Sequence, residues 1–187
     1  LLNSEMGGET ECSPYDVVQK WENDIVELRR YPAQKWVCTS STASKMDEVM
    51  NSSFFKLFRY IRGSNSANCK IPMTKPVLTE SRPVANTVHE RIFTMGFYIP
   101  AEFQNNTPEP TESGVFILER EEMKLYARTY GGFSNDSKLC ENARKLGTVL
   151  DELGKAYQTD PFFFAGYDPP FRLFNRRNEV LLIAKNV

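Results

Sequence analysis

Three phenylalanines and two arginines lie close together in the segment NSSFFKLFRYIRG. The aromatic residues are Phe54, Phe55 and Phe58, and the cationic residues are Arg59 and Arg62. Aromatic rings can stack on a flat apolar ligand, and guanidinium groups form paired hydrogen bonds with carboxylates. The segment therefore has the chemistry to hold a planar apolar molecule that carries acidic groups.

The same segment is the second half of a predicted amphipathic helix that runs from Lys45 to about Arg62. In a helical projection its apolar side chains span roughly 240°, about twice the arc that a surface helix needs for packing. Phe55 and Phe58 lie in the excess arc, together with Asn51. This excess predicts an open aromatic groove with a cationic rim. The alternative is that a loop or the N-terminal arm covers the rings and the arginines are only solvated.

A second cluster lies in the segment GYDPPFRLFNRRNEV, which alternates aromatic residues with arginines before the predicted last strand. Its candidate ligand-binding residues are Phe171, Arg172 and Arg176. Because this proline-rich loop repeats the chemistry of the helix, we expect both segments to contribute to one binding site. The alternative is a hairpin whose arginines pair with the nearby acids Asp168 and Glu179.

The overall composition disfavours several classes of function. The net charge of −1 argues against nucleic acid as a principal partner, since phosphate binding needs uncompensated cationic clusters. The sequence has no apolar run of the roughly 18 residues that a membrane span requires. His89 is the only histidine, and the sequence contains no G-x-S-x-G, phosphate-loop or H-E-x-x-H motif. We therefore expect a binding protein rather than an enzyme.

Cysteines and glycosylation sequons bear on the compartment. The four cysteines are Cys12, Cys38, Cys69 and Cys140, and none forms a C-x-x-C pair. With a single histidine, a zinc site is disfavoured, and an even, widely spaced set fits two disulfides of unknown connectivity. The N-x-[ST] sequons are at Asn51, Asn105 and Asn135. Together with a first residue other than Met, which suggests processing or truncation, these features predict a secreted glycoprotein. A cytoplasmic protein with four free thiols is the alternative.

The order of predicted elements indicates one duplicated domain. Residues 1–20 are polar and read as an irregular N-terminal arm, and residues 21–187 form a single domain. Within the domain, two strands, a helix and two strands occur twice, with the second helix over 135–157. This pattern predicts an α+β fold, in which a distorted antiparallel β-barrel of about eight strands is flanked by two long helices.

Several motifs resemble those of the SOUL/heme-binding-protein family. They are ELRRYPAQKWV, IPMTKPV, FYIPAEFQ and GYDPPFRLFNRRNEVLLI, and the resemblance covers about residues 24–186. The family implies a distorted antiparallel barrel with two long helices. It also implies binding of heme or a related tetrapyrrole without catalysis.

The resemblance assigns part of the ligand site residue by residue. The matching positions are Asn51, Phe54, Phe58, Arg59, Phe171 and Arg172. Asn51 replaces a family arginine, and Arg59 stands where a lysine is common. Arg30 occupies a position where some members carry a histidine suggested as an axial iron ligand. Since Arg30 cannot ligate iron, the resemblance implies a site that does not depend on an axial ligand.

These observations predict a non-enzymatic carrier, buffer or scavenger of heme or another tetrapyrrole. The ligand would be a small planar amphipathic molecule, and the sequence leaves the oligomeric state open. The alternative is a protein-interaction module of the same fold with no physiological tetrapyrrole ligand. The segment LGTVLDELGKAY, whose leucine stripe could insert into a partner's groove, is the feature that suggests this alternative.

Overall fold

The computed structural model describes residues 9–21, 23 and 25–187. Within that part of the chain, nine strands and two α-helices form the fold. The strands are β1 (Asp16–Trp21), β2 (Val26–Tyr31), β3 (Gln34–Ala43), β4 (Val77–Pro83), β5 (Arg91–Tyr98), β6 (Val115–Arg120), β7 (Met123–Tyr130), β8 (Tyr157–Gly166) and β9 (Asn178–Ala184). The helices are α1 (Met50–Ile61) and α2 (Asp136–Glu152), and short 3₁₀ turns occupy Met46–Glu48 and Ala101–Phe103.

All nine strands belong to one antiparallel sheet with the order β1-β2-β7-β9-β8-β4-β5-β3-β6. The duplicated units are β2-β3-α1-β4-β5 and β6-β7-α2-β8-β9. The centre of the sheet is the β4–β8 pair, and each unit places its first strand beside the second strand of the other unit. The predicted duplication and α+β class are confirmed. The sheet curls without closing, since β1 and β6 remain as its edges in the described structure.

Both helices pack on the same face of the sheet, one over each half. Helix α1 contacts β3 and β5, whereas α2 contacts β7 and β9. Phe93 and Phe97 lie on the same face of β5 because side chains alternate along a strand. Phe93 packs in the apolar cluster under α2, and Phe97 packs in the cluster under α1. The central strands β4 and β8 therefore lie between the two helices.

The opposite face of the sheet carries a separate core. Its buried apolar residues are Trp36, Cys38, Leu78, Tyr98, Leu125, Ala127, Phe163, Ala165 and Leu181. This core also encloses charged side chains, of which Arg29 and Glu179 are 1% and 0% exposed. Curling brings the two halves of the sheet around these groups, so this face is filled by the protein itself.

One strand and one end of each helix differ from the sequence-based prediction. β1 lies mostly in the predicted irregular arm, where pairing with β2 stabilises it. A 3₁₀ turn precedes α1, so the helix begins at Met50 rather than Lys45. Helix α2 ends at Glu152 before Gly154, whose φ of +65° suits the residue after a helix.

The predicted disulfides are absent, because all four cysteines are free thiols. Cys38 is buried in the core on β3, and Cys69 and Cys140 lie beside Asn65 and Asp136 of their own segments. Cys12 is exposed on the segment before β1. The even cysteine count was therefore a misleading signal. In the described ranges, no helix is long and apolar enough to cross a membrane.

The leucine stripe of α2 faces the sheet. Leu139, Leu146 and Leu150 are at most 1% exposed, and they pack against residues of β7 and β9. Leu153 follows the helix end and is 39% exposed. Insertion of this stripe into a partner's groove would therefore require the helix to leave its own core.

Candidate functional site

The aromatic residues of α1 form a continuous cluster at the surface. Phe54 packs on Phe97 of β5 at a ring-centroid distance of 5.3 Å, which fixes its position against the sheet. Phe58 lies one helical turn later and stacks on Phe54 at 6.0 Å with an interplanar angle of 15°. Phe55 meets Phe54 edge to face at 5.8 Å and is 55% exposed. The helix thus presents two stacked, half-buried rings that pack against the core and one exposed ring beside them.

Cationic side chains border this cluster. The guanidinium of Arg62 lies 5.8 Å from the ring centre of Phe58, and it has no ion-pair partner in the described part of the chain. Arg59 forms a paired contact with Glu112, with its Nε and Nη2 at 3.0 and 2.7 Å from the two carboxylate oxygens. The hydrogen bond from Arg59 lowers the pKa of Glu112, so this carboxylate stays ionised.

We call this surface the α1 site. It consists of Asn51, Phe54, Phe55, Phe58, Arg59 and Arg62. Asn51 is exposed in the first turn of the helix. The alternative, in which a loop or the arm covers the rings, does not hold for Phe55 within the described residues, and residues 1–8 of the arm lie outside them. Arg62 was not among the predicted ligand-binding residues, although it borders the rings and has no acidic partner among the described residues.

The second predicted segment is the β8–β9 loop, residues 167–177. Phe171 is 59% exposed, and Arg172 forms an ion pair with Asp168 at 3.1 Å. Arg176 donates to the backbone carbonyls of Pro169 and Arg172 at 2.7 and 2.8 Å. The hairpin alternative is therefore met for both acids, because Arg172 pairs with Asp168 and Arg177 pairs with Glu179 at 2.9 Å.

The base of this loop lies across two strands from the α1 site. Phe97 pairs with Val77 of β4, and Val77 pairs with Gly166 at the end of β8. Side chains at these cross-strand positions share one face of the sheet. Neighbouring strands are roughly 5 Å apart, so Gly166 lies about 10 Å from Phe97. The α1 site and the loop base thus flank the same central strands, although the contacts of Arg59 and Arg172 are made to different neighbours.

Two other hollows are poorly suited to a flat apolar ligand. On the opposite face, a void of about 20 Å³ lies among residues that include Trp36, Leu78 and Leu125. It has room for about one water molecule. An open hollow of about 470 Å³ lies beside α2 and is lined mainly by charged residues, including Arg144, Lys145 and others. Its described lining offers no ring for stacking.

A buried polar cluster on the opposite face was not predicted. Arg29 pairs with both oxygens of Glu179 at 2.8 and 2.5 Å and also donates to Tyr31 at 3.0 Å. Tyr167 donates to Glu179 at 2.7 Å, and Arg177 pairs with the same carboxylate at 2.9 Å. Burial alone would raise the pKa of Glu179, but hydrogen bonds and charges of the two arginines lower it to about 2. No local sequence pattern indicates the Arg29–Glu179 pair, because the two residues lie on strands that are far apart in the sequence.

Neither the single histidine nor Arg30, at the position where some family members carry a histidine, belongs to the α1 site. His89 is exposed in the segment between β4 and β5. Arg30 is exposed on β2 and pairs with Asp16 of β1 at 2.6 Å. Among the described residues, no group of three or more histidine, cysteine, aspartate or glutamate side chains is arranged to hold a metal ion.

Comparison with known proteins gives the family. The family model described as SOUL heme-binding protein matches residues 10–183. The chain belongs to the SOUL family. Human heme-binding protein 2 is 41% identical over 160 residues, which are 86% of this chain and 78% of the human protein. Heme-binding protein 1 of Xenopus laevis is 32% identical over 188 residues, which are 100% of this chain and 98% of the relative.

Solved structures agree with this fold at low sequence identity. The C-terminal domain of EcmrR has a TM-score of 0.62 at 12% identity, covering 87% of this SOUL chain and 98% of the domain. SAV2435 bound to tetraphenylphosphonium has a TM-score of 0.53 at 8% identity, covering 86% of this chain and 94% of that protein. At these identities, the likeness shows the architecture that the SOUL protein shares with them and nothing about its ligand.

Proposed function

We propose that this SOUL protein binds heme or a related tetrapyrrole at the α1 site and does not transform it. Family membership and the heme-binding names of the relatives support this ligand class. The proposed location of the ligand rests on one observation, the stacked pair Phe54–Phe58. The exposed ring of Phe55 lies beside this pair, and the guanidinium of Arg62 lies at its edge.

The residues of the α1 site fit such a ligand. A macrocycle lying on the helix would cover apolar rings that water now contacts, and ring stacking adds a geometric preference. Arg62 can pair with a ligand carboxylate directly, because it has no acidic partner among the described residues. Phe171 and Arg172 on the β8–β9 loop would provide the second rim, with Arg176 holding that loop in shape.

The residues of the α1 site include no histidine, so the proposed binding does not rely on an imidazole ligand to iron. His89 and Arg30 lie on other parts of the sheet and its loops. We therefore expect hemin and iron-free protoporphyrin to bind the wild-type protein with dissociation constants within about tenfold of each other, since stacking and carboxylate pairing are common to both. Absorbance and intrinsic-fluorescence titrations of the full chain measure both constants. Absence of saturable binding by either ligand would contradict the proposed function.

Glu112 should compete with the ligand for Arg59. Replacing Glu112 with Gln frees the Arg59 guanidinium, so we expect about twofold to fivefold tighter binding of protoporphyrin. Glu109→Gln is the matched control, because it removes one exposed acid from the same loop without touching Arg59. The competition model is wrong if both variants bind the porphyrin with equal affinity in parallel titrations.

The proposal also includes a biological role and a cellular compartment. A carrier, buffer or scavenger would each use a reversible surface site of this kind. Secretion stays a prediction that rests on the sequons, of which Asn51, Asn105 and Asn135 are all exposed. A glycan on Asn51 would stand at the N-terminal end of the α1 site and would hinder the proposed ligand.

A further inference from the structure

The tip of the β8–β9 loop carries an unusual concentration of exposed apolar side chains. Phe171, Leu173 and Phe174 are 59%, 66% and 79% exposed, although they lie within four consecutive residues. Phe133 on the segment before α2 is 49% exposed and lies beneath the guanidinium of Arg176 at 4.2 Å. Single exposed apolar residues are ordinary, whereas a contiguous group usually marks an interaction surface.

The loop is ordered by polar contacts that point inward. Its ends are joined by the hydrogen bond from the backbone of Tyr167 to that of Arg177, and Arg177 also donates to Asp168. Arg176 binds two backbone carbonyls inside the loop. The loop thus has the compact form of an Ω-loop, with polar groups used internally and apolar groups directed outward. This is the reverse of an ordinary surface loop.

Cationic side chains lie on the loop and on the adjoining segment before α2. Arg172 is half exposed, Arg176 covers Phe133, and Lys138 donates to the carbonyl of Phe133 at 2.9 Å. The acid of the loop, Asp168, has a side chain only 7% exposed and is bound by Arg172. The charged side chains that these contacts place beside the tip are therefore mainly cationic, in a chain whose net charge is −1.

We propose that this tip docks the protein on an anionic phospholipid surface. Exposed aromatic and aliphatic side chains enter the boundary between headgroups and acyl chains, while nearby arginine and lysine side chains are attracted to anionic headgroups. The exposed apolar side chains and the adjacent cationic groups together suit a lipid–water interface with anionic headgroups. The association is peripheral and reversible, because it uses three side chains and their cationic border.

Membrane docking goes beyond tetrapyrrole binding and does not depend on it. Leu173 and Phe174 belong to the tip and not to the proposed ligand contacts. The two activities can therefore be tested on the same protein, with and without ligand. Failure of one leaves the other measurable.

The test is flotation of the ligand-free full chain with vesicles of pure phosphatidylcholine or of phosphatidylcholine with phosphatidylserine. We expect wild-type protein to float with the phosphatidylserine vesicles and at least tenfold less with the neutral ones. Leu173→Asp/Phe174→Asp should lower that binding at least tenfold. Val88→Asp is the matched control, since Val88 is 91% exposed between β4 and β5, away from the tip, and should bind as the wild type does.

Three results would overturn the proposal. The first is a wild-type protein that does not float with phosphatidylserine vesicles. The second is equal flotation of the wild type and the Leu173→Asp/Phe174→Asp variant, with circular dichroism showing that both are folded. The third is a wild-type dimer in sedimentation that this variant converts to a monomer without any vesicle binding, because the tip would then be a self-association surface.

Discussion

Replacing Arg29 with alanine is expected to lower the free energy of unfolding by about 3–5 kcal/mol, because it leaves the buried carboxylate of Glu179 without its main partner. Arg29 is 1% exposed and Glu179 is 0% exposed, so the carboxylate is removed from bulk solvent and depends on its protein partners. The substitution also removes the donor to Tyr31 and the cation that lies 4.2 Å from the ring of Tyr15. Urea unfolding followed by tryptophan fluorescence measures the loss.

The adjacent residue provides a matched control for Arg29. Arg30 is exposed and pairs with Asp16 at 2.6 Å in a solvent-accessible contact. We expect Arg30→Ala to leave the unfolding free energy nearly unchanged, since exposed ion pairs contribute little. Equal losses for the two variants would mean that the buried pair does not stabilise the fold as described.

The same pair predicts a dependence of stability on pH. The pKa of Glu179 is lowered in the folded protein to about 2 from an ordinary value of 4.5. Its contribution is therefore complete above about pH 4.5 and is lost as the pH falls toward 2. The Glu179→Gln variant lacks this contribution at every pH. The difference in unfolding free energy between wild type and variant should therefore become smaller as the pH falls from about 4.5 toward 2.

Replacing Phe55 with Asp is expected to weaken binding of hemin and protoporphyrin at least tenfold. The change removes an exposed ring from the α1 site, and burial of such a side chain by a ligand is worth about 1.5–3 kcal/mol. It also adds a negative charge that repels the ligand carboxylates. Because Phe55 is 55% exposed, the substitution should leave the melting temperature nearly unchanged.

Phe116→Asp is the control for this experiment. Phe116 is a partly exposed aromatic residue on β6, where it pairs with Cys38, whose side chain faces the core opposite the helices. The Phe116→Asp substitution also replaces an aromatic ring with a negative charge, but it does so away from the α1 site. If Phe116→Asp weakens porphyrin binding as much as Phe55→Asp does, the ligand does not bind at the α1 site.

Most of the architecture could be predicted from the sequence because its signals are local. Alternating strands and a helix of period 3.6 occur twice, and these patterns give the duplication directly. β1 was missed because its side chains are mostly exposed and do not alternate between apolar and polar, so only pairing with β2 defines it. The end of α2 was placed too late because Tyr157 continues the apolar period, although it begins β8.

The candidate site could be predicted only in part, because only some of its contacts join residues that are close in sequence. The rings of α1 are neighbours along one helix, so their spacing already places them on one surface. The pairing of Arg59 with Glu112 joins residues 53 positions apart, and the pairing of Arg29 with Glu179 joins residues 150 positions apart. Such pairs depend on the register of the sheet, which composition and periodicity do not contain.

The exchange of first strands between the two duplicated units limits how this architecture can be divided. β2 completes the half-sheet of the second unit, and β6 completes that of the first. A polypeptide cut between β5 and β6 would therefore yield two fragments that each lack an outer strand and expose the seam at β4 or β8. A single unit could cover these edges only by exchanging strands with an identical copy, so the duplicated chain has the form of two such units joined in one polypeptide.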